Sequence, residues 1–240
     1  MLFVNKIALV TGAGRGLGRA TAMALADEGA VVLLLGRKKD TLFEVQDEIK
    51  AMGGKADIVC CDLTLETQIL SSIEKTINIY GRIDILVNNA AMAKEILFME
   101  MKPKLFNEVI CVDFYAPVIL CRALLPFMIK NKGGVVVNVA SGAGQRGLPG
   151  SSAYAAAKAA LINFTKTVGG EVRNHGVRMN CICPGPMEPR TGFGESEKLR
   201  MHDTDLIKPE TVVNTILYLA SDMSNGVSCQ VITARGANRW

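Results

Sequence analysis

The feature that most constrains the fold of this chain is the regular alternation of short apolar runs with longer segments of helical periodicity. Seven apolar runs are predicted to be β-strands, at residues 6–12, 31–36, 56–62, 83–89, 135–141, 177–185 and 229–233. Most are apolar at nearly every position, as expected when both faces of a sheet are covered. Helices are predicted between them, at 17–28, 39–52, 65–80, 103–131, 153–174 and 209–220. The alternation predicts an α/β fold, a doubly wound domain with a seven-stranded, mostly parallel sheet.

Length and charge exclude several other classes of protein. The chain has 240 residues and shows no linker or repeat, so we expect a single domain over residues 1–240. Its net charge of +4 is small and dispersed, which argues against a nucleic-acid partner. The N-terminal residues lack the pattern of a signal peptide, and no run of about 18 apolar residues is found, so we expect no membrane span.

Cysteine usage indicates the compartment. The seven cysteines are odd in number, form no CxxC pair and are accompanied by only two histidines. Several lie in apolar, strand-like runs, so we expect buried free thiols and no metal site. Free thiols are typical of a reducing environment, and the predicted location is therefore cytoplasmic.

The first predicted strand runs into a glycine-rich segment, TGAGRGLG (11–18), which leads into the first helix. Glycines there let the backbone turn tightly and approach a pyrophosphate, whose charge is met by free amides at the start of the helix. Such a turn alone is a weak signal, because it is also compatible with a merely flexible connection. Its place after the first strand of an alternating pattern favours a nucleotide-binding turn.

The segment after the second predicted strand bears on which nucleotide is bound. An NAD site usually has an acidic residue at this strand end, where it binds the ribose hydroxyls. Here Gly36 ends the strand, Arg37 follows it, and Asp40 comes too late. With Arg15 in the glycine turn, two cations favour the 2′-phosphate of NADP (NADPH), while NAD stays open. The alternative is that Arg37 and the neighbouring lysines are only the solvated start of a helix.

Five segments, in this order and spacing, resemble the short-chain dehydrogenase/reductase family. They are TGAGRGLG, NNAA (88–91), Ser141, YAAAK (154–158) and PGP (184–186). The resemblance covers nearly the whole chain and implies a Rossmann-like domain and an NAD(P)-dependent enzyme that acts on CH–OH groups. The compact length looks like that of 3-oxoacyl-acyl-carrier-protein reductases.

The resemblance, together with the two arginines, supplies a set of predicted cofactor-binding residues. They are Gly12, Gly14, Arg15, Gly16, Leu17, Gly18, Arg37, Asp62, Leu63, Asn89, Ala90, Tyr154, Lys158, Pro184 and Gly185. In the family's pattern, Asp62 and Leu63 border the adenine, and Pro184 and Gly185 lie beside the nicotinamide. Asp62 is explained equally well as the N-cap of the next helix, and the asparagines of NNAA as turn residues.

The predicted catalytic residues are Ser141, Tyr154, Lys158 and Asp113. A helix places Tyr154 and Lys158 on one face, one turn apart. Reduction of a ketone needs a hydride on carbon and a proton on oxygen, and a tyrosine can supply the proton when a nearby ammonium group favours its phenolate. Ser141 can hold the carbonyl oxygen by a hydrogen bond. The alternatives are an alanine-rich helix with two amphipathic side chains and a serine that caps a strand end.

Three segments depart from the family's pattern. The usual NNAG is NNAA here, so Ala91 adds a methyl group at a tight place. Relatives often have an asparagine where this chain has Asp113, and the resemblance implies that this asparagine helps to hold a water near the lysine. An ionised aspartate offers only acceptors and would offset part of the Lys158 charge. Near the C-terminus, SCQVITARGANRW replaces the family's more usual G-Q and D-G-G, which puts the usual C-terminal packing and some subunit contacts in doubt.

The predicted function is NADP-dependent reduction of a ketone, such as a 3-oxoacyl thioester, with Tyr154 as general acid and base. Residues 186–207 follow a strand end and are predicted to be a substrate lid. Arg122, Lys130 and Arg173 are candidates for contact with an acidic acyl carrier protein, although scattered basic residues are more often only solvated. A homotetramer or homodimer is expected from the resemblance.

Two alternative functions stay open at this point. One is a dehydrogenase of a sugar, polyol, steroid or other small alcohol. The other is a nucleotide-binding sensor or scaffold that has lost activity, for which Asp113 is the only support.

Overall fold

The predicted strands form one central sheet in the computed structural model, which describes residues 1–187 and 206–235. The strands are β1 (Ile7–Thr11), β2 (Val31–Gly36), β3 (Lys55–Cys60), β4 (Ile85–Asn88), β5 (Gly134–Val139), β6 (Val177–Pro184) and β7 (Val231–Ala234). Their order across the sheet is β3-β2-β1-β4-β5-β6-β7. Every neighbouring pair is parallel, so the sheet is wholly parallel rather than mostly so.

Helices cover both faces of this sheet, which confirms the doubly wound α/β fold. They are α1 (Gly16–Asp27), α2 (Lys39–Ala51), α3 (Glu66–Tyr80), α4 (Pro103–Ile110), α5 (Ala116–Lys130), α6 (Ser152–Val172) and α7 (Pro209–Ala220). Successive strand side chains point to opposite faces. In β2, Val32 and Leu34 join the core under α1, α2 and α7, whereas Leu33 and Leu35 join the core under α3 and α5. This double burial explains why the strands are apolar without alternation.

The helix predicted over 103–131 is interrupted. One turn of π-helix, Cys111–Tyr115, separates α4 from α5 and contains the fully buried Asp113. The stretch Pro103–Lys130 is long and apolar enough to cross a membrane by length and composition alone. Leu120 and Leu124 are nevertheless buried under the sheet, as in the core helix of an α/β domain. The apolar pattern is therefore explained by packing within the protein.

Two predicted segments differ from the structure or fall outside it. The lid predicted over 186–207 lies mostly outside the described residues, and its two described ends meet in an isolated bridge between Met187 and Ile207. The last strand begins at Val231 rather than at Cys229. Cys229 has a left-handed backbone, with φ of 63°, which is incompatible with a strand.

The expectation of buried free thiols holds only in part. All seven cysteines are free, but Cys60 is exposed and two others, Cys111 and Cys229, are only half-buried. Cys60 ends the edge strand β3, which has a neighbour on one side only. Across the two described ranges, no group of His, Cys, Asp and Glu side chains could hold a metal ion.

Candidate active site

The predicted site residues gather at one edge of the sheet because all seven strands run in the same direction. The turns that follow β1, β4, β5 and β6 lie side by side at their carboxyl ends. Consecutive strands proceed outward from β1 in one direction and from β4 in the other, so the chain reverses between these two strands. Ligands of doubly wound sheets bind at this switch point.

The glycine turn after β1 is shaped for close approach by a ligand. Gly12 and Gly16 have left-handed backbones, with φ of 66° and 54°. A Cβ on Gly18 would collide with the Gly12 carbonyl oxygen, so this glycine is required for packing. A Cβ on Gly16 would meet no atom of residues 1–187 and 206–235 within 4 Å, so none of these residues fills the space beside the turn there.

The start of α1 leaves its amides available. Its N-cap, Arg15, makes no side-chain cap, and the first turn contains no acidic residue. Unsatisfied amides at a helix N-terminus are suited to a phosphate group. The open turn and the uncapped helix together fit the pyrophosphate of a dinucleotide cofactor.

The turn after β4 is tied to the end of β1. Thr11 Oγ1 accepts hydrogen bonds from the backbone N–H groups of Asn89, at 2.9 Å, and Ala90, at 3.0 Å. The Asn89 amide also donates to the Thr11 carbonyl oxygen at 2.9 Å. Asn89 is thus more than a turn residue, because it holds the turn after β4 against the glycine turn.

Asn88 lies in a buried chain of polar groups on the other side of β4. Its side-chain amide donates to Asn138 Oδ1 at 2.8 Å, and Asn138 donates to Thr165 Oγ1 at 2.9 Å. The chain joins β4 to β5 and then to α6. It fixes the position of α6, and the sequence patterns did not predict it because its members lie far apart in the chain.

The other end of the glycine turn adjoins α2. A Cβ on Gly14 would collide with Thr41 Oγ1, so the glycine turn and the start of α2 lie against each other. Arg15 and Arg37 are both exposed at this corner. Leu17 instead packs against the core under α1.

Asp62 is held in a turn after β3 and does not cap α3. Its Oδ1 accepts hydrogen bonds from the backbone N–H and hydroxyl of Thr64, whereas α3 begins at Glu66 without a side-chain cap. Arg37 Nη1 lies 3.9 Å from Asp62 Oδ2. Partial burial raises the pKa of Asp62, but the Thr64 hydrogen bonds and the Arg37 charge outweigh it and hold this pKa below its usual range. The neighbouring Leu63 packs against the core under α3.

The predicted catalytic pair lies near the start of α6. Tyr154 is half-buried and Lys158 is buried, and the Lys158 ammonium nitrogen lies 5.6 Å from the centre of the Tyr154 ring. Lys158 Nζ donates a hydrogen bond to the carbonyl oxygen of Val139 at 3.0 Å. The last residue of β5 therefore anchors the ammonium group beneath the tyrosine.

Asp113 approaches the same ammonium group from the π-turn. Its Oδ1 accepts the backbone N–H of Met92 at 2.7 Å. Its Oδ2 lies 3.6 Å from Lys158 Nζ, an ion-pair separation too long for a hydrogen bond, and has no hydrogen-bond partner within the described part of the chain. Burial raises the pKa of Asp113, and the Lys158 charge and the Met92 N–H oppose this rise only in part.

Ser141 begins a short 3₁₀ turn over Gly142–Gly144. Its Oγ accepts the backbone N–H of Ala143 at 3.1 Å, which leaves its O–H free to donate. A Cβ on Gly144 would lie 2.7 Å from the Lys158 carbonyl carbon, so this turn is packed tightly on α6. The structure thus brings the Ser141 turn, Lys158 and Asp113 together around the start of α6.

Pro184 and Gly185 lie beside the Ser141 turn. Arg235, for which the sequence predicted no role, lies next to them. A Cβ on Gly142 would lie 3.6 Å from the Pro184 carbonyl oxygen and 3.9 Å from Nη2 of Arg235. Arg235 follows β7, in the C-terminal segment that departs from the family's pattern. That departure was the only sequence signal for this arginine.

Comparisons with known proteins agree with this geometry. Residues 6–199 match the family model of the short chain dehydrogenases. The chain is 37% identical to the 3-oxoacyl-[acyl-carrier-protein] reductase of Thermotoga maritima, over 98% of each chain. It is 34% identical to the protein of that name from Chlamydia muridarum, again over 98% of each.

Solved structures show the same architecture. An NAD⁺-bound xylitol dehydrogenase superposes with a TM-score of 0.89 at 25% identity, covering 99% of this chain and 100% of that one. A metagenomic short-chain oxidoreductase in complex with NADP superposes with a TM-score of 0.85 at 31% identity, covering 97% and 98%. On its sequence, its sheet and the place of its site, this chain belongs to the short-chain dehydrogenase/reductase family of oxidoreductases.

Proposed function

We propose that the protein reduces a ketone to a secondary alcohol with NADPH and that Tyr154 is the general acid and base. The observation that carries the proposal is the position of Lys158, which is anchored on the Val139 carbonyl with its ammonium nitrogen 5.6 Å from the Tyr154 ring. Burial of an ammonium group is costly, so its position beside the tyrosine supports a role in the chemistry.

Each of three side chains has one task in the proposed mechanism. When bound, the reduced nicotinamide cofactor supplies a hydride to the carbonyl carbon. Ser141 donates its free O–H to the carbonyl oxygen and holds it in place. Tyr154 transfers its phenolic proton to the same oxygen, and the Lys158 ammonium stabilises the phenolate that remains. In the oxidation direction, the phenolate takes the proton back.

Asp113 is proposed to be a positioning residue, because it acts through Lys158 rather than on substrate. Its Oδ2 lies 3.6 Å from Lys158 Nζ, and the same Nζ lies 5.6 Å from the centre of the Tyr154 ring. An ionised Asp113 would offset part of the charge that Lys158 presents to Tyr154, whereas a protonated Asp113 would not. The protonation state of Asp113 therefore tunes the catalytic pair.

The glycine turn and the start of α1 would hold the pyrophosphate of the cofactor. The preference for NADP(H) is supported by Arg15 and Arg37, which are both exposed at the corner where the ribose is expected, and by Gly36 in place of an acid. The similar metagenomic enzyme is in complex with NADP. Binding of NAD(H) is the alternative, as in the xylitol dehydrogenase.

A 3-oxoacyl thioester is the proposed substrate class, supported by relatives named 3-oxoacyl-[acyl-carrier-protein] reductases. Arg122, Lys130 and Arg173 are exposed, as contact with an acidic carrier protein requires. A homotetramer or homodimer and a cytoplasmic location stay predictions. Sedimentation equilibrium of the purified protein tests the first.

The second candidate is a dehydrogenase of a sugar or polyol, favoured by the similarity to xylitol dehydrogenase. A panel of ketones and alcohols, including a 3-oxobutanoyl thioester and xylitol, separates the two when nicotinamide absorbance is followed with each cofactor. Fastest turnover of the thioester with NADPH supports the reductase. Fastest turnover of a polyol with NAD⁺ supports the second candidate.

The variant Tyr154→Phe tests the proposed mechanism. Loss of the phenolic proton should reduce turnover by a factor on the order of a hundred or more. Binding of NADPH, measured by fluorescence titration, should change little. Tyr218→Phe, at an exposed tyrosine on α7, is the control and should keep normal turnover. Near-normal turnover of Tyr154→Phe would exclude Tyr154 as the acid, and a wild type without activity would favour a sensor or scaffold.

A further inference from the structure

One cation at the site has no task in the proposed mechanism, namely the guanidinium of Arg235. The Gly185 N–H donates to the Ala234 carbonyl oxygen at 2.7 Å, which fixes the chain just before this arginine. A Cβ on Gly185 would lie 3.5 Å from Arg235 Cγ, and one on Gly142 would lie 3.9 Å from Arg235 Nη2. The guanidinium therefore lies between the turn that follows Ser141 and the turn that follows β6.

Hydrogen bonds hold the guanidinium in a defined orientation. Arg235 Nη2 donates to Gln145 Oε1 at 2.9 Å. The Gln145 amide in turn donates to Thr233 Oγ1 at 2.8 Å. Both ends of this series of hydrogen bonds are attached to β7, so the long arginine side chain is already ordered. Binding of a ligand therefore does not have to offset the entropy cost of ordering it.

Within residues 1–187 and 206–235, most of the hydrogen-bonding capacity of Arg235 is unused. A guanidinium has five N–H donors and no acceptor. Nε is buried and has no hydrogen-bond partner among the residues that the structure describes. In the same residues, no carboxylate lies within ion-pair distance of Arg235. A buried donor on an unbalanced cation is costly unless an acceptor reaches it.

The buried thiol of Cys183 lies in the same positive region. Its hydrogen bond with Cys181 lowers the pKa of Cys183, against burial, which raises it. The Ser141 backbone and the charges of Arg235 and Lys158 lower this pKa further. Ser141 thus has a cation on either side, Lys158 towards α6 and Arg235 towards β7.

We propose that Arg235 binds an oxyanion carried by the substrate, either a carboxylate or a phosphate. The inference rests on the proposed ketone reduction. It adds an anionic group to the substrate, which the acyl part of a 3-oxoacyl thioester lacks, and so narrows the substrate class beyond that thioester. The parallel N–H donors of a guanidinium match the oxygens of both groups. Ser141, which is proposed to hold the reacting carbonyl, and the Arg235 guanidinium flank the same turn, so one substrate molecule would contact both.

Matched pairs of ketones test the proposal. Acetoacetate and its neutral ethyl ester form the carboxylate pair, and dihydroxyacetone phosphate and dihydroxyacetone form the phosphate pair. Arg235→Gln should raise KM for the anionic member that is recognised by about ten- to a hundredfold, because a charge-assisted hydrogen bond is lost. KM for the neutral partner should stay unchanged. Arg235→Lys should restore part of the loss, and Lys75→Gln, at an exposed lysine on α3, is the control.

Three outcomes would overturn the assignment. An equal rise in KM for charged and neutral ketones in Arg235→Gln would make Arg235 a structural residue. A wild type that does not prefer the anionic ketones would show that Arg235 binds no oxyanion of the substrate. A change of oligomeric state in Arg235→Gln, with equal losses, would assign the residue to a subunit contact. If no ketone is reduced at all, the proposed function fails, and the anion site is then tested separately. Acetate or phosphate should raise the Tm of the wild type, relative to chloride, but not that of Arg235→Gln.

Discussion

Two pairs of oppositely charged side chains occupy the two ends of the site, and they differ mainly in burial. Arg37 and Asp62, at the nucleotide end, lie 3.9 Å apart with 64% and 28% of their side chains exposed. Lys158 and Asp113, at the catalytic end, lie 3.6 Å apart with 2% and 0% exposed. The pKa of Asp62 is lowered, whereas burial raises that of Asp113. The same pairing is thus exposed to solvent at the end where we propose recognition of the cofactor, and buried at the end where we propose catalysis.

The largest expected effect comes from removing the acid of the buried pair. Asp113→Leu leaves the Lys158 ammonium buried, with the Val139 carbonyl as its one remaining partner among the residues that the structure describes. We expect the free energy of unfolding to fall by about 3–5 kcal/mol, the usual cost of an unpaired buried charge. Urea denaturation measures it, and the double variant with Lys158→Met should recover part of the loss. A loss no larger than that of Arg37→Ala, expected at about 1 kcal/mol or less for a solvated pair, would erase the distinction between the two ends.

The next effect concerns recognition at the exposed pair. Arg37→Ala should weaken NADPH binding by about tenfold, because one charge-assisted contact with the 2′-phosphate is lost. NADH binding should change little, since NADH carries no such phosphate. Titration of both cofactors against both proteins measures the difference. Lys39→Ala, two residues further along the same exposed segment, controls for the general loss of a positive charge. Equal losses for the two cofactors, or a wild type that prefers NADH, would contradict the NADP(H) assignment.

The smallest effect is the dependence of folding stability on pH, which should have opposite signs for the two aspartates. A raised pKa means that Asp113 contributes stability at low pH, and that this contribution is lost as pH rises above about 4, the ordinary range of aspartate. A lowered pKa means that Asp62 contributes stability above about pH 4 and loses it as pH falls. Relative to Asp113→Asn, the wild type should therefore lose stability with rising pH, whereas relative to Asp62→Asn it should gain.

The ionisation of Asp113 can also be followed through turnover, measured as a function of pH. If Asp113 ionises beside Lys158, the wild type should have a higher pH optimum than Asp113→Asn, because the carboxylate offsets the ammonium charge near Tyr154. The profile of Asp62→Asn should match that of the wild type. Identical profiles for all three proteins would show that Asp113 does not couple to the catalytic pair.

Sequence reasoning reached further at the nucleotide end than at the catalytic end, and the reason is physical. Glycine positions, strand ends and the position of Arg37 are local features, so a short segment reveals each of them. The partners of Lys158, in contrast, are the Val139 carbonyl, which belongs to another element, and Asp113 in a π-turn, which only the family resemblance suggested. Residue identity does not reveal a backbone acceptor, and helical periodicity predicted an uninterrupted helix through Cys111–Tyr115. Arg235 escaped prediction for the same reason, since its neighbours come from three strand ends.

The π-turn has a consequence for how this protein can vary. A π-turn adds a residue to a helix, and each residue in an α-helix turns the chain by about 100°. The length of the segment Cys111–Tyr115, and not only its composition, therefore sets which face of α4 points in the same direction as a given face of α5. Point substitutions can exchange the group that faces Lys158, but only an insertion or deletion can move it away. Among related enzymes, an insertion or deletion in this segment would therefore indicate a change in the group that faces the lysine more reliably than a substitution does.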